Sequence, residues 1–227
     1  MRIGPLLLCA AGCAADITGE VNPLPDAKPA HAPDAAIPQP DAPPDAGPGA
    51  PLGSFELTYY WVSLESDYAG AADTTIYDRS CAALATVPSA FADSLVLEGT
   101  GRLADGRTLN YAGSCPCAFS PCFLVLDAEH PWGTGSGGRA LVPFRSIAVD
   151  TAVLVIGKHY WIRELAGVLM PGLGFIHDGC VTADDTGGGI DGMHVDFFAA
   201  LREYYLDLDG ELGLSHVTLH DGGTLCP

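Results

Sequence analysis

From about Ser54 to the C-terminus, apolar residues come in short runs of strand composition separated by turn signals. Phe55-Glu56-Leu57-Thr58-Tyr59-Tyr60-Trp61-Val62 is aromatic and β-branched, a strand by composition. Thr74 to Ala90 holds Cys81 and an apolar segment compatible with a short helix. Ser94 to Leu103 reads as a further strand, and Asp105-Gly106 then turns the chain into a strand over Arg107–Tyr111, since Asp-Gly between such runs is a hairpin signal. Ile147 to Val149 leads into Asp150. Val153–Ile156 and His159–Ile162 flank Gly157-Lys158 and predict another hairpin. Gly174–Val181 and His194–Phe198 are β-type, Ala199–Leu206 has helical composition, and Ser215–His220 alternates as a closing strand. Many short strands with little helix predict a small barrel.

Within that pattern one stretch stands out, Asp184-Asp185-Thr186-Gly187-Gly188-Gly189-Ile190-Asp191-Gly192-Met193-His194-Val195-Asp196-Phe197-Phe198. Its glycines let the backbone turn where a Cβ would clash. Asp196 interrupts an apolar run. A carboxylate so flanked is partly desolvated, which raises its pKa and suits it to act as a general acid near neutral pH. The plainer alternative is a strand Asp facing water, as most Asp residues do.

The beginning of the chain has a different character. Residues 1–15 combine one Arg, a short apolar stretch and small residues in the manner of a signal peptide, and the run is too short to span a bilayer. Ala10-Ala11-Gly12-Cys13 resembles the lipobox of bacterial lipoproteins, which implies a signal over 1–12, cleavage before Cys13 and a lipid on its sulfur. Residues 13–53 repeat Pro-Asp-Ala at Pro25, Pro33, Pro40 and Pro44 and predict an extended acidic linker. The folded domain is expected over 54–227, working outside the cytoplasm, periplasmic or at the cell surface, with membrane contact only through the anchor at Cys13.

Charge and cysteines narrow the partners. A formal net charge of −18 makes nucleic acid a poor partner. Cys81, Cys115, Cys117, Cys122, Cys180 and Cys226 follow the signal, and an even number in an exported chain predicts disulfides of open connectivity. The competing metal reading of Cys115, Cys117 and Cys122 lacks the usual Cys-x-x-Cys pairing, so no metal is expected. Asp207-Leu208-Asp209-Gly210-Glu211 and the Asp185-to-Asp196 spacing each lack side-chain oxygens that a calcium loop requires. His216 and His220 are four apart on a strand, about 13 Å distant along it, too far to chelate together. There is no Gly-x-Ser-x-Gly elbow and no phosphate-cradling signature, so no cofactor is expected.

Taken together, three pieces resemble the three-aspartate (3D) domain found in membrane-bound lytic transglycosylase A and in stationary-phase cell-wall enzymes. They are Ala148-Val149-Asp150, Asp185-Thr186-Gly187-Gly188-Gly189-Ile190-Asp191-Gly192 and Val195-Asp196-Phe197-Phe198. The resemblance covers roughly residues 145–198 and, loosely, the strands at 55–62 and 215–220. It implies an all-β fold, a six-stranded double-psi β-barrel with short helices and disulfide-bearing insertions. It further implies action on peptidoglycan glycan strands, cleaving the β-1,4 bond between N-acetylmuramic acid (MurNAc) and N-acetylglucosamine (GlcNAc) to leave a 1,6-anhydro ring. Asp196 would be the acid/base, with Asp185 and Asp150 as catalytic companions that raise its pKa or fix its rotamer. Thr186, Gly187, Gly188 and His194 would touch substrate, and Tyr59 could line the cleft, a barrel-wall aromatic being its plainer role. Asp191 stands where the family commonly has Lys. Two rival expectations remain: an expansin-like module that binds glycan without cutting it, and a disulfide-stiffened surface protein.

Overall fold

The computed structural model describes residues 47–226. The signal, Cys13 and most of the Pro-Asp-Ala segment lie outside these residues. The elements, in order, are β1 (Pro51–Tyr60), β2 (Ser63–Leu64), β3 (Ala72–Tyr77), β4 (Ala83–Pro88), α1 (Ser89–Glu98), β5 (Thr100–Arg102), β6 (Thr108–Gly113) and β7 (Cys122–Val125). There follow β8 (Ser146–Val149), β9 (His159–Ile162), β10 (Cys180–Asp185), β11 (His194–Phe198), α2 (Arg202–Leu212) and β12 (His216–Asp221). The first strand starts at Pro51, ahead of the boundary expected at residue 54.

Six strands close on themselves in the order β1-β11-β8-β10-β9-β12. The pairs β1–β11 and β8–β10 are parallel, and the other four are antiparallel. Strand alternation sorts the side chains. Phe55 and Leu57 of β1, Val195 and Phe197 of β11, and Val217 and Leu219 of β12 fill one core, with Tyr59 packed against it. The intervening residues Thr58, Tyr60, Asp196 and Phe198 face the other way, and Tyr60 and Phe198 join Ala148 in a separate outer cluster.

Between β1 and β8 the chain builds a second lobe. Its sheet runs β2-β5-β6-β7, beside the β3–β4 hairpin. Helix α1 supplies Phe91, Ala92 and Leu95 to a core shared with Ile76, Val87, Leu109 and Phe123. The fold is therefore mostly β with two short α-helices, and the insertion has its own core.

Several local expectations change. Residues 94–103 are not one strand. The apolar positions 91, 92 and 95 share a helix face, Gly99 (φ 74) caps α1, and a short strand follows. Residues 74–90 form most of the β3–β4 hairpin rather than a helix until Ser89. Val153–Ile156 is not a strand, because the carbonyl of Asp150 accepts the N–H groups of Val153 and Leu154 in a turn. The Asp-Gly hairpin forms as expected, with β5 antiparallel to β6. All six candidate cysteines are paired, Cys81–Cys117, Cys115–Cys122 and Cys180–Cys226. The sulfurs of Cys115, Cys117 and Cys122 lie close together, but each is spent in a disulfide and none is a free thiolate.

Candidate active site

A cleft of about 670 Å³ runs between the barrel's outer face and the second lobe. The barrel contributes Tyr60, Ala148, Asp185 and Asp196, the loop after β10 adds Thr186, Gly187 and Gly188, and the second lobe adds Glu98, Thr100, Asn110 and Tyr111. A third wall is the glycine-rich loop at Thr134, Gly135 and Ser136. The Asn110 side chain clamps that loop: its Nδ2 donates to the Thr134 carbonyl (2.9 Å), and its Oδ1 accepts from Thr134 N–H (3.0 Å) and Thr100 Oγ1 (2.8 Å).

Gly135 is required by close approach. A Cβ there would stand 2.4 Å from the Asp184 carbonyl oxygen and 2.9 Å from Cβ and Cγ of Asp185. Backbone cannot yield cheaply at such distances, so Gly135→Ala is expected to cost about 1–3 kcal/mol. Thermal unfolding would measure that cost, and because the strain falls on Asp185, cleft function would fall with it.

Asp196 sits on β11 opposite Thr58 of β1. Thr58 Oγ1 donates to Asp196 Oδ1 (2.7 Å) and lies 2.8 Å from His194 Nε2. With the hydroxyl proton committed to the carboxylate, His194 must be the donor to Thr58, so His194 carries its hydrogen on Nε2. Burial pushes the Asp196 carboxyl up to about 6, against the opposing pull of the Thr58 bond and of His194. Asp185 is also pushed to about 6, by burial first and then by the charges of Asp196 and Asp184, while Thr186 N–H bonds its Oδ1 (2.8 Å) and opposes the shift. Asp184 points away from the cleft, its carboxylate held by Arg139 Nε and Ser146 Oγ, both at 2.7 Å.

Glu98, the last residue of α1, faces the same cleft and is pushed to about 7, mainly by burial, with the Asp196 charge adding to the rise. Its Oε2 accepts the Trp61 N–H (3.1 Å), a bond that opposes the shift. Tyr60 brings a buried hydroxyl beside the Asp185 carboxyl without a well-formed hydrogen bond to it, and its pKa is far above the usual value, through burial first and then the nearby carboxylates. A ligand hydroxyl or carbonyl could satisfy it.

Residues 145–212 match the family model of the 3D domain. That span contains all three motif pieces, and the resemblance read from the sequence holds. No curated protein sequence matches the chain. The structure of E. coli MltA with bound chitohexaose superposes with a TM-score of 0.53 at 14% identity, covering 74% of this chain and 71% of that chain. The membrane-bound lytic murein transglycosylase from Agrobacterium tumefaciens gives 0.47 at 15% identity, over 77% of this chain and 75% of that one. At such identities the MltA likeness speaks for fold.

The three aspartates of the 3D domain do not share one place. Asp185 and Asp196 meet in the cleft, whereas Asp150 is a half-buried loop clamp away from the cleft wall. Asp150 accepts from Ala152 N–H (2.8 Å) and Gly192 N–H (2.7 Å), and these bonds hold its carboxyl below the usual range. It thus ties the turn after β8 to the loop that carries Thr186–Gly188, and it does not line the cleft. Tyr59, considered for the cleft, faces the barrel core, and its neighbour Tyr60 takes the cleft position. Likewise His194 is not on the cleft wall and reaches Asp196 through Thr58. Thr58, Tyr60, Glu98 and Gly135 were missed. For Thr58 and Tyr60 the available signal was their even spacing from Glu56 on an alternating strand.

Thr58→Val removes a donor that favours the charged form of Asp196. The Asp196 pKa should then rise, and an activity that needs its acid form should keep its alkaline limb to higher pH, by about 0.7 unit for a bond worth ~1 kcal/mol. A pH–rate profile of the variant measures this.

Proposed function

We propose that the cleft cleaves peptidoglycan glycan strands as a lytic transglycosylase, with Asp196 as acid/base. The observation that carries the reading is a pair of carboxyls, Asp185 and Asp196, buried in one cleft and both raised toward neutral pH. The 3D-domain match and the MltA-like fold support it. In the first half-reaction protonated Asp196 gives its proton to the glycosidic oxygen as the C1–O bond between MurNAc and GlcNAc breaks. In the second, the resulting carboxylate takes the proton of the MurNAc C6 hydroxyl as that oxygen bonds to C1. The 1,6-anhydro ring closes, no water is consumed and the acid is restored. One carboxyl serves twice, where glycoside hydrolases divide the work between two.

The remaining carboxyl and loop residues take supporting roles. Asp185 would hold sugar hydroxyls beside the scissile bond, and Thr186, Gly187 and Gly188 would offer backbone at the opposite rim. Thr58 and His194 fix the Asp196 rotamer from behind. The closed barrel, with its two parallel pairs, is read as a double-psi barrel. No helix among the described residues is long and apolar enough to cross a membrane. The three disulfides suit an extracytoplasmic compartment, where a lipid on Cys13 and the residues 13–53 would tether the domain.

The deciding experiment is digestion of purified peptidoglycan with wild type and Asp196→Asn, products read by mass spectrometry. Anhydro-muropeptides from wild type alone support the reading, and reducing-end products replace it with hydrolysis. Pelleting with sacculi without any product would make the cleft a glycan-binding module.

A further inference from the structure

Glu98 has no part in the proton transfers assigned to Asp196, yet it is the second lobe's only carboxylate on the cleft wall among the described residues. It ends α1, with Gly99 as its left-handed cap. The C-terminal end of a helix carries partial negative charge and disfavours an anion there. The titratable side chains lining the cleft around it are Asp196, Asp185, Tyr60 and Tyr111, and Asp93 lies on its own helix. The described lining contains no Lys, Arg or His, so no cation in the cleft favours the ionised form, and the single Trp61 N–H bond is outweighed by burial. One oxygen, Oε2, is fixed by the Trp61 N–H, while Oε1 has no hydrogen-bond partner among the described residues. The geometry presents an anchored acid with a free oxygen aimed into a polar cleft.

We propose that Glu98 is a glycan-holding residue: its neutral carboxyl donates a hydrogen bond from Oε1 to an acceptor-only oxygen of the bound sugar, such as an acetamido carbonyl, across the cleft from Asp196. This rests on the reading of the cleft as a glycan site. It gives the second lobe a specific task, gripping the strand that the barrel cuts, and it couples affinity to pH. Once Glu98 ionises it has no proton to donate, and it places a second anion beside Asp196. Burial puts that ionisation near pH 7, so the grip is lost as pH rises through neutrality.

The test is calorimetric titration of the full chain with chitohexaose between pH 5 and 8.5, with the ligand confirmed intact by mass spectrometry. Wild type should bind about tenfold more weakly at pH 8.5 than at pH 5, the loss of one hydrogen bond. Glu98→Gln keeps an acceptor for Trp61 N–H and a permanent donor for the sugar. It should hold the acid-side affinity and lose the step near pH 7, whatever smaller dependence Asp185 and Asp196 contribute at lower pH. Glu98→Ala should bind about tenfold more weakly at pH 5, without that step. A Glu98→Gln profile that superimposes on wild type overturns this role while leaving the glycan site intact. Absence of chitohexaose binding by wild type at every pH overturns both the role and the glycan reading beneath it.

Discussion

Asp196→Asn should lower the rate of peptidoglycan cleavage by about 10³-fold or more, within the range for removing a positioned general acid/base and equivalent to ~4 kcal/mol of transition-state stabilisation. Asn is nearly isosteric and its Oδ1 still accepts from Thr58, so the local hydrogen bonds survive. Binding to sacculi should therefore persist while anhydro-muropeptides disappear. Asp185→Asn gives the contrast. Asp185 and Asp196 repel each other in one cleft, but burial is the leading cause of the Asp196 rise. Asp185→Asn should therefore weaken substrate handling, leave Asp196 a competent acid and leave measurable turnover. Equal, complete loss in both variants would instead indicate that the two carboxyls share the chemistry. Wild-type kcat should fall as pH rises through about 6, because the first proton transfer needs the acid form of Asp196.

The site was legible where its residues are close in sequence. Asp185, Thr186 and the glycines sit in a strand–loop unit whose spacing shows in the chain, and the Val195-Asp196-Phe197-Phe198 run announced a desolvated carboxylate. The rest depends on contacts across long separations. Glu98 lies far from Asp196 in sequence, and reading 94–103 as a strand hid that a helix end delivers it to the cleft. The 134–136 loop reaches the site only because Asn110 clamps it and Gly135 lets it lie against Asp185. Tyr59 and Tyr60 show how narrow the margin is on a strand. Both are aromatic and adjacent, and a shift of one residue exchanges the barrel interior for the cleft. Asp150 makes the converse point: a motif position identifies a residue that matters to the loop, without placing it at the chemistry.

Asp185→Asn/Glu98→Gln should stabilise the protein strongly at alkaline pH and hardly at all at acid pH. Both carboxyls have folded pKa values above their unfolded ones, about 6 against 3.8 and about 7 against 4.5, so the folded state binds the proton more tightly. Stability is then greatest below the unfolded values, falls as pH rises through the folded ones, and stays low above them. Each shift corresponds to roughly 3 kcal/mol at 1.36 kcal/mol per unit, and because part of the Asp185 shift comes from neighbouring charge the two do not simply add. A gain of about 4 kcal/mol at pH 8, or roughly 10 °C in Tm, is expected, shrinking toward zero at pH 4. Denaturant unfolding at the two pH values measures it. A pH-independent gain would mean that the amides stabilise by packing and that the carboxyls are not held out of water at a cost. The expected pattern ties stability to function: a cleft that keeps carboxyls protonated near neutrality does so by burying them without cations, and the fold is less stable for it.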